Sequence, residues 1–251
     1  MSKRKTISHG GKTEMTQKKA AISQTVKQPA DQDTAKSVAE ALLTTGCVMF
    51  AANGQEPFTL TSGEKSPVYV DCRRLISYPV ERALVMRLGY LHLQQSLDVQ
   101  NSIDYIAGGE TAGIPYAAWL AEALEKPMIY VRKQPKGFGR MAQIEGHLPE
   151  GKSPTVLLVE DMATDGGSKI SFADALREAG THINHIFCPF YYDIFPHSED
   201  LLGKAHLTIH YLTTWADILQ VIEEQKLFPA GDLDAIKMFL RSPEEWRKQH
   251  G

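Results

Sequence analysis

Cysteine is scarce in this chain of 251 residues: Cys47, Cys72 and Cys188 are odd in number, far apart and without CxxC spacing. That argues against a disulfide framework and a zinc site, and it makes a reducing, cytoplasmic setting the default. Long apolar runs are missing. None approaches the roughly 18–20 residues of a membrane span, so no membrane association is expected. A strong charge of one sign is also missing. The formal net charge of −3 argues against a mainly electrostatic nucleic-acid binder, and no nucleic-acid partner is expected. The nine histidines show no metal-ligand spacing, and no internal repeat is visible.

Large apolar residues are also sparse in residues 1–33, which are rich in Lys, Gln, Ser and Thr. This reads as a disordered polar tail. It lacks the apolar h-region of a signal peptide, and Met15 inside it is an alternative start. Residues 34–251 suit one α/β domain. The chain is 43% hydrophobic and 23% charged, enough for a sizeable core.

Along that domain, residues 34–45 have helical spacing with Gly46 as a stop. Residues 58–73 read as two short strands around a turn. A long helix is expected over 78–96, with Pro79 in its first turn, then a strand at 103–107, a glycine-rich loop at 108–113 and a helix at 114–124. Residues 127–131 form a strand. Residues 132–146 have no apolar period and read as a loop, of a length that is usually functional. Residues 155–159 suit the middle of a parallel sheet. A helix at 167–179, ended by Gly180, and strands at 183–190 and 206–212 follow. Helices over 214–225 and 232–240, and a capping box from Ser242, close the chain. The order predicts an open, mostly parallel sheet with helices on its faces.

The chemistry concentrates in residues 156–168, VLLVEDMATDGGS. A buried strand ends in Glu160 and Asp161. A short turn, Met162, Ala163, Thr164, Asp165 and Gly166, then enters a helix through Gly167 and Ser168. In open α/β sheets ligands bind beyond the carboxyl ends of strands. N–H groups of a glycine-containing turn at a helix N-terminus bind anions. Two carboxylates beside a phosphate would repel it unless they bind something else: sugar hydroxyls, or a Mg²⁺ that the ligand itself carries. A phosphorylated sugar satisfies both halves. The bland alternative is a solvated strand end followed by an ordinary helix cap.

The same segment resembles the phosphoribosyl-pyrophosphate (PRPP) motif of type I phosphoribosyltransferases. Three further stretches are similar to the orotate phosphoribosyltransferase family. These are FTLTSGEKSPVYVD at 58–71, GGETAGIP at 108–115, and YVRKQPKGFG at 130–139 continuing to QIEG at 143–146. The resemblance covers residues 34 to the end. It implies the type I phosphoribosyltransferase fold with a small N-terminal hood over about 34–75 and C-terminal helices over about 214–251. It implies transfer of phosphoribosyl from PRPP to orotate, giving orotidine 5′-monophosphate and pyrophosphate in pyrimidine biosynthesis, with Mg²⁺ held mainly by the substrate. It also implies a homodimer with shared sites.

By resemblance, PRPP contacts fall on Arg132, Lys133, Lys136 and residues 160–168, with Lys136 and Asp161 as the catalytic pair. Thr164 and Tyr69 fall at orotate. Glu110 reads as a loop carboxylate outside the inner site. Asp165 is expected to bind a backbone N–H at the helix start instead of facing the phosphate. Some positions depart from the family pattern: Thr61 and Gln134 replace common basic residues, and Phe138 replaces a common His. No Arg follows the strand ending near Phe190, which leaves Arg73, Arg74 or Arg140 to hold the orotate carboxylate. The alternatives are a phosphoribosyltransferase for another nucleobase and a non-catalytic PRPP-binding regulator on the same fold.

Overall fold

The computed structural model describes residues 26–51, 55–60, 63–137, 139 and 142–250. The expectations for residues 1–25 with Met15, and for Thr61, Phe138 and Arg140, concern positions outside that set. The elements in chain order are β1 (Lys27–Pro29), α1 (Gln32–Thr44), β2 (Val48–Phe50), β3 (Phe58–Thr59), β4 (Lys65–Ser66) and β5 (Val68–Val70). A 3-10 turn (Cys72–Ser77) leads to α2 (Pro79–Leu97), α3 (Val99–Ser102), β6 (Tyr105–Gly109), α4 (Gly113–Leu124), β7 (Met128–Val131), β8 (Ile144–Glu145) and β9 (Thr155–Val159). Then come β10 (Met162–Ala163), α5 (Gly167–Glu178), β11 (His182–Tyr191), α6 (Ser198–Lys204), β12 (Thr208–Thr214), α7 (Trp215–Gln225), α8 (Ala230–Arg241) and α9 (Pro243–His250).

The main sheet runs β1-β12-β11-β9-β6-β7-β8, with β10 beside β11. Its pairings are parallel except β7 with β8. From β6 the chain crosses to β7 on one side, and β9 is then laid on the other. The crevice between the carboxyl ends of β6 and β9 is thus a topological switch point, where such sheets bind ligands. Strand β9 is central because nearly all of it is apolar. Val156 and Leu158 pack into one hydrophobic layer with α5, while Leu157 and Val159 pack into the other with α1, α2 and α4. That division is the two-residue alternation of a strand buried on both faces. The hood consists of two antiparallel pairs, β2 with β5 and β3 with β4.

Three expectations need correction. The polar tail does not reach residue 33. Strand β1 lies parallel to β12, with Ile209 N–H donating to the Val26 carbonyl at 2.8 Å. Helix α1 then starts at Gln32, capped by Asp31, whose carboxylate accepts the Thr34 N–H at 2.9 Å. A three-residue edge strand is held by backbone bonds and so leaves no apolar signal in the sequence. Residues 132–146 are not structureless: β8 turns back antiparallel to β7, and Arg132 N–H to Gln143 O (2.8 Å) and Lys136 N–H to Ala142 O (2.7 Å) extend the hairpin. The hood stretch holds three short strands, not two. A capping box is also present at Thr214 and Asp217, at the start of α7.

Candidate active site

Four adjacent strands deliver the candidate residues to one rim of the sheet. Strand β9 ends at Glu160 and Asp161, β6 at Gly109 and Glu110, β7 at Arg132 and Lys133, and β11 at Tyr191 and Tyr192. Glu160 is bound to the sheet edge through its N–H to the Phe187 carbonyl, 3.0 Å. Its side chain leans across the switch point onto β6. A Cβ on Gly109 would sit 2.1 Å from Glu160 Oε1, and one on Gly113 would sit 2.4 Å from the Val159 carbonyl oxygen. Gly109 and Gly113 thus mark a close approach: a side chain at either would enter the space of Glu160 or its strand.

Both carboxylates are out of water, Glu160 at 4% and Asp161 at 9% exposure. Burial penalises their charged forms. It pushes the Glu160 carboxyl up to about 7, with the Lys169 ammonium opposing and neighbouring Asp161 adding to the rise. Asp161 is also raised by burial, and Lys169, the Met162 N–H and Arg73 oppose it. An acidic pair kept this dry, with both carboxyls raised by burial, is not a solvated strand end.

The turn after the pair enters α5 with Gly166 at φ 92°, the left-handed region that favours glycine. Thr164, Gly167 and Ser168 are exposed. The first N–H groups of a helix have no acceptor within the helix and point outward, which forms the anion cradle. Asp165 takes the expected position: its Oδ1 accepts the Gly167 N–H at 3.0 Å and the Thr164 hydroxyl at 3.4 Å.

Glu110 is tied to the next loop, its Oε2 accepting the Lys133 N–H at 2.7 Å. The peptide between Glu110 and Thr111 is cis. Lys133 is exposed, and its charge acts on Glu160. Lys136 is exposed within the hairpin. Arg132 is not with them. Its guanidinium faces Glu145 at 3.4 Å and the Gln134 carbonyl, holding the base of the hairpin. Tyr69, in β5, is half-buried with its ring 5.8 Å from that of Phe58. Arg73 forms two bonds to Asp71, 2.6 and 3.0 Å, and its charge reaches Asp161. Arg74 is turned away, towards the Thr45 carbonyl at 3.5 Å.

Lys169 escaped the sequence reading. It sits on α5 one residue past the motif and is 9% exposed, with Nζ 3.8 Å from Glu160 Oε1 and 3.1 Å from Ser168 Oγ. A signal was present: positions 169, 172, 173 and 176 share the 3–4 spacing of one helix face, and Phe172, Ala173 and Leu176 are core. A lysine in that series is either misplaced or paired.

Residues 80–193 match the phosphoribosyl transferase domain family. The chain is similar to the orotate phosphoribosyltransferase of Ruegeria sp. (strain TM1040), 48% identical over 88% of this chain and 95% of the relative. The orotate phosphoribosyltransferase of Allorhizobium ampelinum is also 48% identical, over 79% and 85%. Among solved structures, the orotate phosphoribosyltransferase of Aeropyrum pernix superposes with a TM-score of 0.62 at 28% identity, covering 76% of this chain and 99% of that one. The UMP synthase of Leishmania donovani gives 0.68 at 26%, covering 83% of this chain and 42% of that longer one. With 48% identity over 95% and 85% of the two curated relatives, the chain belongs to the orotate phosphoribosyltransferase family, pentosyltransferases of pyrimidine biosynthesis.

Proposed function

We propose that this chain joins orotate to PRPP at the rim between β6 and β9, forming orotidine 5′-monophosphate and releasing pyrophosphate. The carrying observation is the buried Glu160–Asp161 pair placed directly ahead of the N-terminus of α5. The ribose hydroxyls donate to that pair, and the 5′-phosphate lies over Thr164, Gly166, Gly167 and Ser168. Bringing hydroxyl donors to two dry carboxylates supplies the hydrogen bonds that burial withholds, so substrate binding favours their ionised forms.

As the bond from C1 of ribose to pyrophosphate breaks, positive charge grows on the ribose and negative charge on the leaving group. Asp161 and Glu160 face the first, and Lys136 and Lys133 neutralise the second. Arg132, bound to the hairpin base, positions those lysines. The β7–β8 hairpin carries the cations as a lid whose closure excludes water. Tyr69 and Thr164 border the orotate ring, and Arg73, beside Tyr69, takes its carboxylate.

Among the described residues no group of three or more His, Cys, Asp or Glu is arranged to hold a metal ion. Mg²⁺ usually keeps several waters and binds through substrate phosphates, so PRPP, more than the protein, would hold it. Once bound, it supplies charge neutralisation at the pyrophosphate.

A homodimer is part of the proposal. Val80, Leu84 and Leu91 lie exposed along α2 at 75%, 43% and 42%, a stripe suited to cover by a second copy. Among the described residues no helix is long and apolar enough to cross a membrane, and we place the reaction in the cytoplasm. The test is loss of orotate absorbance on adding PRPP, with and without Mg²⁺. Well-folded protein that does not turn over, or that accepts another base in preference to orotate, refutes the reading.

A further inference from the structure

Lys169 stands in a place that local energetics disfavour. It is the third residue of α5, whose N-terminal end carries the positive pole of the helix dipole, and cations there are unfavourable. It is also largely dry, its side chain 11% exposed. An ordinary buried lysine extends its ammonium to water along an apolar stem. This one instead turns inward, towards Glu160 Oε1 at 3.8 Å and Ser168 Oγ at 3.1 Å, and its charge is felt at Asp161 and Cys188. A buried ion pair gives little net stability over an apolar alternative, so stability alone does not account for it.

What the ammonium does is connect two parts of one site. Glu160 belongs to the end of β9 and the ribose side. Ser168 belongs to the first turn of α5 and the phosphate side. The two are joined through a turn containing Gly166, a backbone with little stiffness of its own. We propose that Lys169 is a positioning residue for phosphoribosyl transfer, its ammonium fixing the Glu160 carboxylate relative to the Ser168 hydroxyl so that ribose and 5′-phosphate are held in one register. The proposal rests on the function argued above. It assigns Lys169 no contact with substrate: it acts through Glu160 and Ser168, and its charge opposes the effect of burial on Glu160.

The experiment is a double-mutant cycle with rescue, read as kcat and KM for PRPP and for orotate. Wild-type turnover comes first, and its absence defeats the functional reading whatever Lys169 does. Given turnover, Lys169→Met, which keeps the stem and removes the charge, is expected to lower kcat/KM for PRPP about tenfold or more, with KM for orotate little changed. Lys169→Arg is expected to recover most of the loss. In a Glu160→Gln background, Lys169→Met is expected to cost nothing further, because the group it positions is already neutral. That background also tests the idea if Lys169→Met alone does not fold, since the double variant buries no unpaired charge. Wild-type kcat/KM for PRPP in Lys169→Met overturns the inference. So does an additive loss in the Glu160→Gln background, or a loss that lowers thermal stability while leaving KM for PRPP unchanged.

Discussion

Replacing Glu160 by Gln should stabilise this protein at alkaline pH while disabling it. Burial holds the Glu160 carboxyl from the ordinary 4.5 up to about 7. Between those two values the folded chain keeps a proton that the unfolded chain has released. Stability therefore falls as pH rises through that window and levels off above about 7. The ionised carboxylate costs the fold about 3 kcal/mol more than it costs the unfolded chain, an upper limit because the Lys169 ammonium loses a partner when Glu160 is neutral. Gln keeps the shape and removes the titration. The variant should match the wild type near pH 5 and exceed it near pH 8 by up to about 3 kcal/mol, or roughly 6–12 °C in Tm for a domain of this size. Urea unfolding of both proteins at the two pH values measures the difference directly. The kcat/KM for PRPP should fall at least about tenfold, the scale of a lost hydrogen bond to a charged acceptor. A stability difference that is the same at both pH values, or a variant less stable than wild type near pH 8, refutes the claim that Glu160 is ionised at the expense of the fold.

Lys136→Ala should lower kcat by about 10²–10³, the loss typical of one charge-stabilising donor, while calorimetric affinity for PRPP changes much less; equal turnover removes Lys136 from the chemistry. Gly109→Ala places a methyl 2.1 Å from Glu160 Oε1, so unfolding should show about 1–3 kcal/mol of overpacking and kcat/KM for PRPP should fall with it. Asp165→Ala frees the Gly167 N–H now bound at 3.0 Å and removes a charge beside the phosphate cradle. It should cost about 1 kcal/mol as a lost helix-start bond yet lower KM for PRPP, and a raised KM would show that Asp165 shapes the cradle instead of competing for it.

The parts of this site that could be read from the sequence are those whose physical cause is local. Four apolar residues followed by two acids predict a buried strand with carboxylates at its end, and β9 has that form because both of its faces are covered. Gly-Gly-Ser at a helix start predicts an anion cradle by the same kind of argument. Features that depend on contacts between distant segments were harder to see. Strand β1 carries no apolar pattern because its contribution is backbone pairing to β12, about 180 residues away. Residues 132–146 read as a loop because β8 is two residues long and exists only by pairing with β7. Arg132 and Lys133 are neighbours of like charge and look equivalent in sequence. In the fold the Arg132 guanidinium faces Glu145, while Lys133 gives its backbone N–H to Glu110 and its charge acts on Glu160.

Lys169 shows how the two kinds of information combine. Composition counts it as one more surface lysine, and helical spacing alone marks it as an error in the core face of α5. Its meaning depends on Glu160, which is dry because it leans over Gly109 and Gly113, glycines that read in the sequence as a glycine-rich loop and not as a contact with β9. Those glycines let Glu160 approach β6, the approach removes it from water, and removal from water raises the energy of its charge. The buried ammonium of Lys169 opposes that rise until the ribose hydroxyls arrive. The chain of causes runs from two glycines on β6 and α4 to one lysine on α5, and every link crosses the switch point of the sheet. Selection for binding at that crevice therefore acts on all three segments together, and replacing any one of them alone should leave the other two mismatched.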